Sequence, residues 1–146
     1  MTTERATTAE ELLRGAGLRS TAPRRAVLEV VLGAPHASSG DIAGQLARAG
    51  RTMSRQSLAN VLDDLTGAGL LRSIQPAGSA VRYETRVGDG HHHLVCRGCG
   101  TVVDVECAHG APPCLLPATD PGFPVVDRAE ITWWGSCAEC AGSPAR

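Results

Sequence analysis

The sequence predicts an α+β fold in two parts, with helices in the first half and short strands around a metal site in the second. Apolar residues recur at helical spacing as far as Gly67. Short runs of strand type follow from Leu70 onward. The second half also holds all six cysteines, four of them in two Cys-x-x-Cys pairs. We therefore expect one domain at residues 1–86, a hinge at 87–90 and a second domain at 91–146.

The composition is that of a globular chain in which aromatic residues are scarce. Of the 146 residues, 42% are hydrophobic and only 3% are aromatic, so each buried residue of the core stabilises it less than usual. A metal crosslink and dimerisation would supplement such a core. Residues 1–88 carry eleven arginines and eight acids, whereas residues 89–146 carry three arginines and seven acids. The first half thus suits phosphate groups, and the acidic second half suits metal cations.

Four helices are expected in the first half, each preceded by a residue that can cap its N-terminus. The expected caps are Thr8, Thr21, Ser38 and Ser54. Acidic residues occupy the first turn of the first helix, where they interact favourably with the helix dipole. Pro23 lies in the first turn of the second helix, and Asp41 follows the third cap by three positions. A glycine ends each helix.

The fourth helix has an apolar stripe and a polar face near its start. The polar residues are Arg55, Gln56, Ser57 and Asn60. Strands are expected at 70–74 and 80–84, joined by a turn at 76–79. Helices followed by such a hairpin form the winged-helix arrangement, whose last helix enters the major groove of DNA and reads base edges with polar side chains. A polar helix face is also typical of a solvated surface helix.

Three strands and a long loop are expected in the second half. The expected strands lie at 91–95, 101–105 and 129–134. Residues 107–124 are rich in Pro and Gly and lack helical periodicity, so we expect them to form mostly loop. Cys107 and Cys114 lie in this loop, where a disulfide between them is sterically easy. They are either a redox pair or two ordinary loop cysteines.

The two Cys-x-x-Cys pairs predict one structural zinc site. Its four ligands would be Cys96, Cys99, Cys137 and Cys140. A structural zinc takes four ligands in a tetrahedron, and each pair supplies two of them. Such an ion contributes about 10 kcal/mol or more to folding. Disulfides are the alternative, but the sequence shows neither an apolar leader nor a long apolar run, so we expect a cytoplasmic protein without membrane contact and with reduced thiols.

Three consecutive histidines, at residues 91–93, directly precede the first cysteine pair. Alternate residues of a strand face the same side, so His91 and His93 can bind one ion together. We expect His92 to face the other way and to be exposed or part of an auxiliary site. The sequence therefore predicts a second metal site beside the zinc.

These features together resemble the ferric uptake regulator family of metal-dependent transcription repressors. The matching landmarks are Leu18-Arg19-x-Thr21-x-x-Arg24, Pro35-His36-x-x-x-x-Asp41-Ile42, the helix from Ser54 to Leu65, Arg82-Tyr83-Glu84, His91-x-His93-Leu94-x-Cys96-x-x-Cys99-Gly100, Val103-Asp104 and Trp134-Gly135-x-Cys137-x-x-Cys140. They extend from about residue 10 to 140 in family order. The run at 78–89 and the loop from Cys107 to Cys114 resemble the actinobacterial FurA branch, which is associated with repression of a catalase-peroxidase and with the response to peroxide.

The resemblance implies a homodimer that binds a double-stranded DNA operator. An N-terminal winged helix would contact the DNA, and a C-terminal α/β dimerisation domain would hold the zinc. The implied ligands of a regulatory Fe(II) or Mn(II) are His36, Glu84, His91, His93 and Asp104. The implied DNA contacts are Arg19, Arg24, Arg55, Gln56, Ser57 and Asn60. Because the ion would take ligands from both domains, its binding would favour one relative orientation of the domains. Only one spacing of the two recognition helices fits the DNA half-sites, so the ion would act as a corepressor.

The resemblance also implies repression of the protein's own operon and of a catalase-peroxidase or other oxidative-stress and iron genes. Peroxide would act either by iron-catalysed oxidation of a ligand such as His36 or His91, or by oxidation of thiols. The acid at Asp104 favours the iron route, because it is the residue type associated with peroxide-sensing members. Three features depart from the family: Ala59 stands where a Tyr usually contacts bases, the Pro-rich loop replaces the dimerisation helix, and an auxiliary metal site of other members lacks its acid here. His109 has no counterpart in the family pattern.

Other functions are weighed against this interpretation. An iron- or zinc-homeostasis repressor without peroxide sensing would have the same motifs. A zinc-ribbon interaction module with weakened DNA binding would agree with Ala59. An enzyme with a catalytic zinc at Glu84, His91 and His93 would need a positioned general base, and the chain has no His-Glu-x-x-His motif. We therefore do not expect an enzyme.

Overall fold

The computed structural model describes residues 7–107 and 115–142. The chain divides into two compact units, Met1–Val87 and Gly88–Arg146. Among the described residues, no helix has both the length and the apolar character that a membrane span requires.

The described residues of the first unit form four helices and a small antiparallel sheet. The helices are α1 (Ala9–Gly15), α2 (Ala22–Gly33), α3 (Ser39–Arg48) and α4 (Arg55–Gly67), and the strands are β1 (Ala37–Ser38), β2 (Arg72–Ile74) and β3 (Arg82–Glu84). The sheet order is β1-β3-β2. The expected hairpin is present with shorter strands, and its turn is closed by the Ser79 N–H, which donates to the Pro76 carbonyl at 2.9 Å. Strand β1 was not expected, because two residues leave no alternation to recognise.

Side-chain caps define where three of these four helices begin. Thr8 and Glu11 exchange hydrogen bonds with each other's backbone N–H, forming a capping box at the start of α1. Ser38 and Asp41 do the same for α3. The Ser54 hydroxyl accepts from the backbone N–H of the third residue of α4. Thr21 makes no such bond, and α2 instead has a proline in its first turn, where the missing N–H costs nothing.

The core of the first unit is aliphatic and is built from all four helices, strand β1 and the segment after α4. Its buried residues are Ala9, Leu13, Ala26, Val27, Leu28, Val31, Ala37, Ile42, Leu46, Leu58, Val61, Leu62, Leu65 and Leu71. The apolar stripe of α4 is therefore buried, as the sequence predicts. Each fully buried Leu or Val stabilises the fold by about 1.5–3 kcal/mol relative to an exposed one. Burial of this stripe leaves the polar face of α4 at the surface.

In the second unit, the part of the chain that the structure describes forms a three-stranded sheet followed by one helical turn. Its elements are β4 (His92–Cys96), β5 (Val102–Val105), β6 (Thr132–Gly135) and α5 (Ala138–Ala141). The order is β5-β4-β6, with β4 antiparallel to β5 and parallel to β6. Residues 115–131, the described part of the connection before β6, form no helix or strand, as the Pro-rich composition predicts. The short helix α5 was not expected.

Candidate metal centres

The four cysteines of the Cys-x-x-Cys pairs meet at one end of the sheet of the second unit. Their sulfur atoms all lie within 4.8 Å of one another, and the Sγ atoms of Cys99 and Cys137 are 3.8 Å apart. Zinc–sulfur bonds of about 2.3 Å in a tetrahedron place sulfurs about 3.8 Å apart. All four cysteines are free of disulfides. The cluster therefore fits a structural zinc ion, and the disulfide alternative does not describe these residues.

Strand pairing brings the two cysteine pairs together. Parallel pairing of β4 with β6 sets Cys96 opposite Gly135, so both pairs follow the same end of neighbouring strands. The Cys137 N–H donates to the Cys96 Sγ at 3.3 Å, as backbone groups commonly do to thiolate ligands. A Cβ at Gly98 would lie 2.8 Å from the Cys140 Sγ, so this turn position must be glycine for the sulfurs to approach.

The ionisation of the thiols agrees with a cation at their centre. Backbone N–H groups, first that of Cys137 and then that of Cys99, lower the pKa of Cys96 to about 6. The hydroxyl of Thr101 is the main cause that lowers the pKa of Cys99. Hydrogen bonds to Cys137 first, then to Cys96 and Cys99, raise the pKa of Cys140 to about 12. Removing the last proton from a cluster of thiolates is therefore unfavourable, and a bound divalent cation offsets this cost.

In the first unit, His36 and Glu84 form a buried pair of metal-binding type. The His36 Nε2 lies 3.1 Å from the Glu84 Oε2, and the other oxygen of Glu84 lies 3.5 Å from the Arg72 Nε. His36 adopts a φ of 67°, which is strained for a residue other than glycine. Its N–H donates to the Tyr83 carbonyl and its carbonyl accepts from Arg82, so pairing with β3 holds the strained backbone in place.

In the second unit, His91, His93 and Asp104 form another group of donors. The Nε2 atoms of both histidines lie 3.6 Å from the Asp104 Oδ1. Antiparallel pairing sets His93 opposite Asp104, and both histidine rings are buried with their centroids 4.8 Å apart. One carboxylate oxygen and two imidazole nitrogens thus converge, as a mixed oxygen and nitrogen site for a divalent metal requires.

His92 is buried, so the expectation that it is exposed is wrong. Its ring packs edge-on against Trp133 with centroids 5.8 Å apart, and the Ile131 N–H lies 3.4 Å from its Nδ1. Tryptophan supplies a large apolar surface that encloses the imidazole. Cys107 is half-buried after β5. Cys114 and His109 lie outside the described residues, and the redox pair stays a prediction.

The polar face of α4 is exposed and partly ordered by its own hydrogen bonds. The exposed residues include Arg55, Gln56, Ser57 and Asn60. The Gln56 Nε2 donates to the Asn60 Oδ1 at 2.8 Å, and the Ser57 hydroxyl bonds to the N-cap hydroxyl at 2.8 Å. Ala59 is also exposed, and it borders a cavity of about 410 Å³ between α3, α4 and β3.

The two arginines expected at DNA differ in their surroundings. Arg19 is exposed. Arg24 donates to the Asp64 carboxylate at 2.7 Å and to the Arg19 carbonyl at 3.1 Å, so it ties the start of α2 to the last turns of α4. Sequence reasoning missed this partner, since nothing in a single sequence pairs residues forty positions apart.

Comparison with known proteins identifies the family. The model of the ferric uptake regulator family matches residues 15–110. The chain is also 52% identical over 131 residues to the transcriptional regulator FurA of Mycobacterium tuberculosis (strain ATCC 25618 / H37Rv), covering 90% of this chain and 88% of that protein. This chain belongs to the ferric uptake regulator family. It is a metal-dependent transcription regulator, and the expectation that it is not an enzyme agrees with the names of its relatives.

Solved structures of the family confirm the fold class. The ferric uptake regulator of Francisella tularensis, solved with iron, has a TM-score of 0.65 at 20% identity, covering 86% of this chain and 96% of that one. The ferric uptake regulator of Pseudomonas aeruginosa, solved with manganese, has a TM-score of 0.62 at 24% identity, covering 89% and 98%. The prediction of a winged helix followed by a small α/β domain with a four-cysteine site is confirmed.

Proposed function

We propose that this protein is a homodimeric DNA-binding repressor whose corepressor is a divalent metal ion and which responds to peroxide. The observation that supports this most is that each unit contains a buried or partly buried group of metal-binding side chains. The group of the first unit is His36 and Glu84, and that of the second is His91, His93 and Asp104. One regulatory ion would take ligands from both groups.

The donor set supports Fe(II) or Mn(II) as the regulatory ion. Imidazole nitrogen and carboxylate oxygen together suit both metals, whereas the thiolates of the other site select zinc. Relatives have been solved with iron and with manganese. An ion that binds both units favours the conformations in which both can reach it, and this population shift would raise the affinity for DNA half-sites of fixed spacing.

Exposed apolar residues on the sheet of the second unit support the homodimer. Val103 and Trp133 are the register partners of Leu94 on its two sides, and these three side chains are 41–52% exposed. Seven of the nine large exposed hydrophobic side chains among the described residues belong to the second unit. A row of this kind across a sheet is typical of an interface that a second copy covers.

The exposed face of α4 supports contact with base edges in the major groove. Gln and Asn side chains suit adenine, whereas Arg suits guanine or phosphate. We propose that Arg55, Gln56, Ser57 and Asn60 read the operator and that Arg19 meets the backbone phosphates. Arg24 would contribute by fixing α2 against α4 through Asp64. The proposed location is the cytoplasm, and the proposed targets are the protein's own operon and a catalase-peroxidase or other oxidative-stress and iron genes.

Peroxide would act through iron at the regulatory site. His36 and His91 would be among the ligands of this iron, and Fe(II) would supply the one-electron reduction of hydrogen peroxide to hydroxide and a hydroxyl radical beside their imidazoles, one of which would then be oxidised. An imidazole that has gained oxygen binds metal poorly, so the corepressor would be lost and the DNA released. Mn(II) does not carry out this electron transfer, and the manganese form would keep its DNA.

The test is binding of zinc-loaded protein to DNA from upstream of its own coding sequence. We expect tight, salt-dependent binding with Fe(II) or Mn(II), none with a chelator of the regulatory ion, and loss after peroxide in the Fe(II) form alone. Loss of DNA binding after peroxide in both metal forms would indicate that peroxide acts on the thiols and not through iron. Absence of specific binding under every condition would overturn the repressor proposal and favour an interaction module.

A further inference from the structure

At the start of the second unit, the side chain of Asp89 contacts both the backbone and the ring of His91. Asp89 lies between Gly88 and Gly90, whose φ angles of 73° and 70° are open mainly to glycine. The Asp89 Oδ1 accepts from the His91 N–H at 3.3 Å and lies 2.5 Å from the His91 Nδ1. One carboxylate oxygen therefore holds both the backbone and the ring of His91, in an Asx-turn extended by a side-chain contact.

This contact favours one tautomer of the neutral His91 ring. An ionised carboxylate can only accept hydrogen bonds, so the Nδ1 must carry the proton that it donates to Asp89. In the neutral ring the lone pair is then on Nε2. The Nε2 is the nitrogen that lies 3.6 Å from the Asp104 Oδ1, the same oxygen that the His93 Nε2 approaches at 3.6 Å. The lone pair thus points toward the other metal donors.

We propose that Asp89 is a positioning residue for the regulatory metal, holding His91 in the tautomer and orientation whose Nε2 binds the ion. This inference rests on the proposed function, because it assigns an outer partner to the regulatory site proposed there. A carboxylate behind a ligating histidine raises its basicity and holds its ring, and removal of such a partner costs about 10–100-fold in metal affinity.

The surroundings of Asp89 and His91 indicate that Asp89 positions the histidine and is not part of an apolar core. The His91 side chain is fully buried, whereas that of Asp89 is 37% exposed. Loss of the carboxylate therefore removes a hydrogen-bond acceptor without emptying an apolar core. Asp120 provides a matched control, since its Oδ1 accepts from the Gly122 N–H at 2.8 Å in a turn of the same kind in the same unit.

The experiment combines a tautomer measurement with a metal titration, both on full-length protein carrying only its structural zinc. Long-range ¹H–¹⁵N NMR of the histidine rings, without added metal, reports which nitrogen of His91 is protonated. Mn(II) titration followed by electron paramagnetic resonance reports affinity. The variants are Asp89→Ala, Asp89→Asn, which keeps a neutral acceptor, and Asp120→Ala. Zinc content and circular dichroism check that each variant folds.

We expect the wild-type His91 ring to be protonated at Nδ1 and Asp89→Ala to bind Mn(II) about 10–100-fold more weakly. Asp89→Asn should lose less, and Asp120→Ala should bind as the wild type does. Protonation at Nε2 in the wild type, or unchanged affinity in Asp89→Ala, would overturn the inference. If the wild-type chain binds no Mn(II), the regulatory site itself fails, and the tautomer still shows separately whether Asp89 holds the ring.

Discussion

Gly98 lies in the turn between Cys96 and Cys99, against the side chain of Cys140. Any Cβ there would lie 2.8 Å from the Cys140 Sγ and 2.9 Å from its Cβ, closer than such atoms normally approach. Because Cys140 is fixed by the zinc in the folded protein, it cannot move away without distorting the tetrahedron. The geometry of the site thus depends on a residue that supplies no ligand.

We predict that Gly98→Ala lowers the free energy of unfolding of the zinc-loaded protein by about 1–3 kcal/mol, the usual cost of overpacking. Chemical denaturation with zinc present measures this change, and a competing chelator measures faster zinc loss. Gly135→Ala is the control, because its added Cβ would meet no atom within 4 Å. Equal stability of the two variants would contradict this account of the turn.

His36 shows how little a single sequence says about a buried ligand. A histidine between a proline and an alanine carries no pattern of its own, and only the family resemblance indicated it. Its positive φ and its contact with Glu84 depend on strand pairing between residues more than forty positions apart. The sequence analysis predicted only a hinge at residues 87–90, although Asp89 carries a recognisable Asx-turn pattern: it lies between two glycines and two positions before a histidine.

Among the helices and strands, those with a longer repeating pattern of apolar residues could be predicted from the sequence, and the shortest ones could not. Helices α1 to α4 each show two or more turns of apolar periodicity and a cap, and all four were found close to their observed bounds. The two-residue strand β1 and the single turn of α5 are too short for any period. The parallel pairing of β4 with β6 also escaped prediction, since register depends on contacts across the sheet.

The sheet β5-β4-β6 gives the proposed dimer a testable interface. We predict that Leu94→Asp raises the dimer dissociation constant by about tenfold or more, because a charge would replace a central apolar contact between Val103 and Trp133. Analytical ultracentrifugation over a range of concentrations measures it. Leu32→Asp, with a leucine of nearly equal exposure in the first unit, should dimerise normally. A Leu94→Asp protein that dimerises like the wild type would exclude this face.

At the scale of the whole molecule, the two units are stabilised by different means. The first has a buried aliphatic core and, up to residue 95, the chain contains no cysteine. The second has few buried apolar residues, chiefly Val95 and Cys96 among those described, and joins its strand ends through four thiols. A small sheet with so little core normally needs a metal to remain folded.

We therefore predict that removing zinc unfolds the second unit and leaves the first folded. Calorimetry of the zinc-loaded protein and of the chelated protein should differ in the transition of the second unit alone, and amide exchange should show lost protection in β4, β5 and β6. Acid should act in the same direction. As the pH falls, protons compete with zinc for the same sulfurs, so zinc release should accompany the unfolding of the second unit. Loss of α2 and α4 at the same zinc concentration would show instead that the two units fold as one.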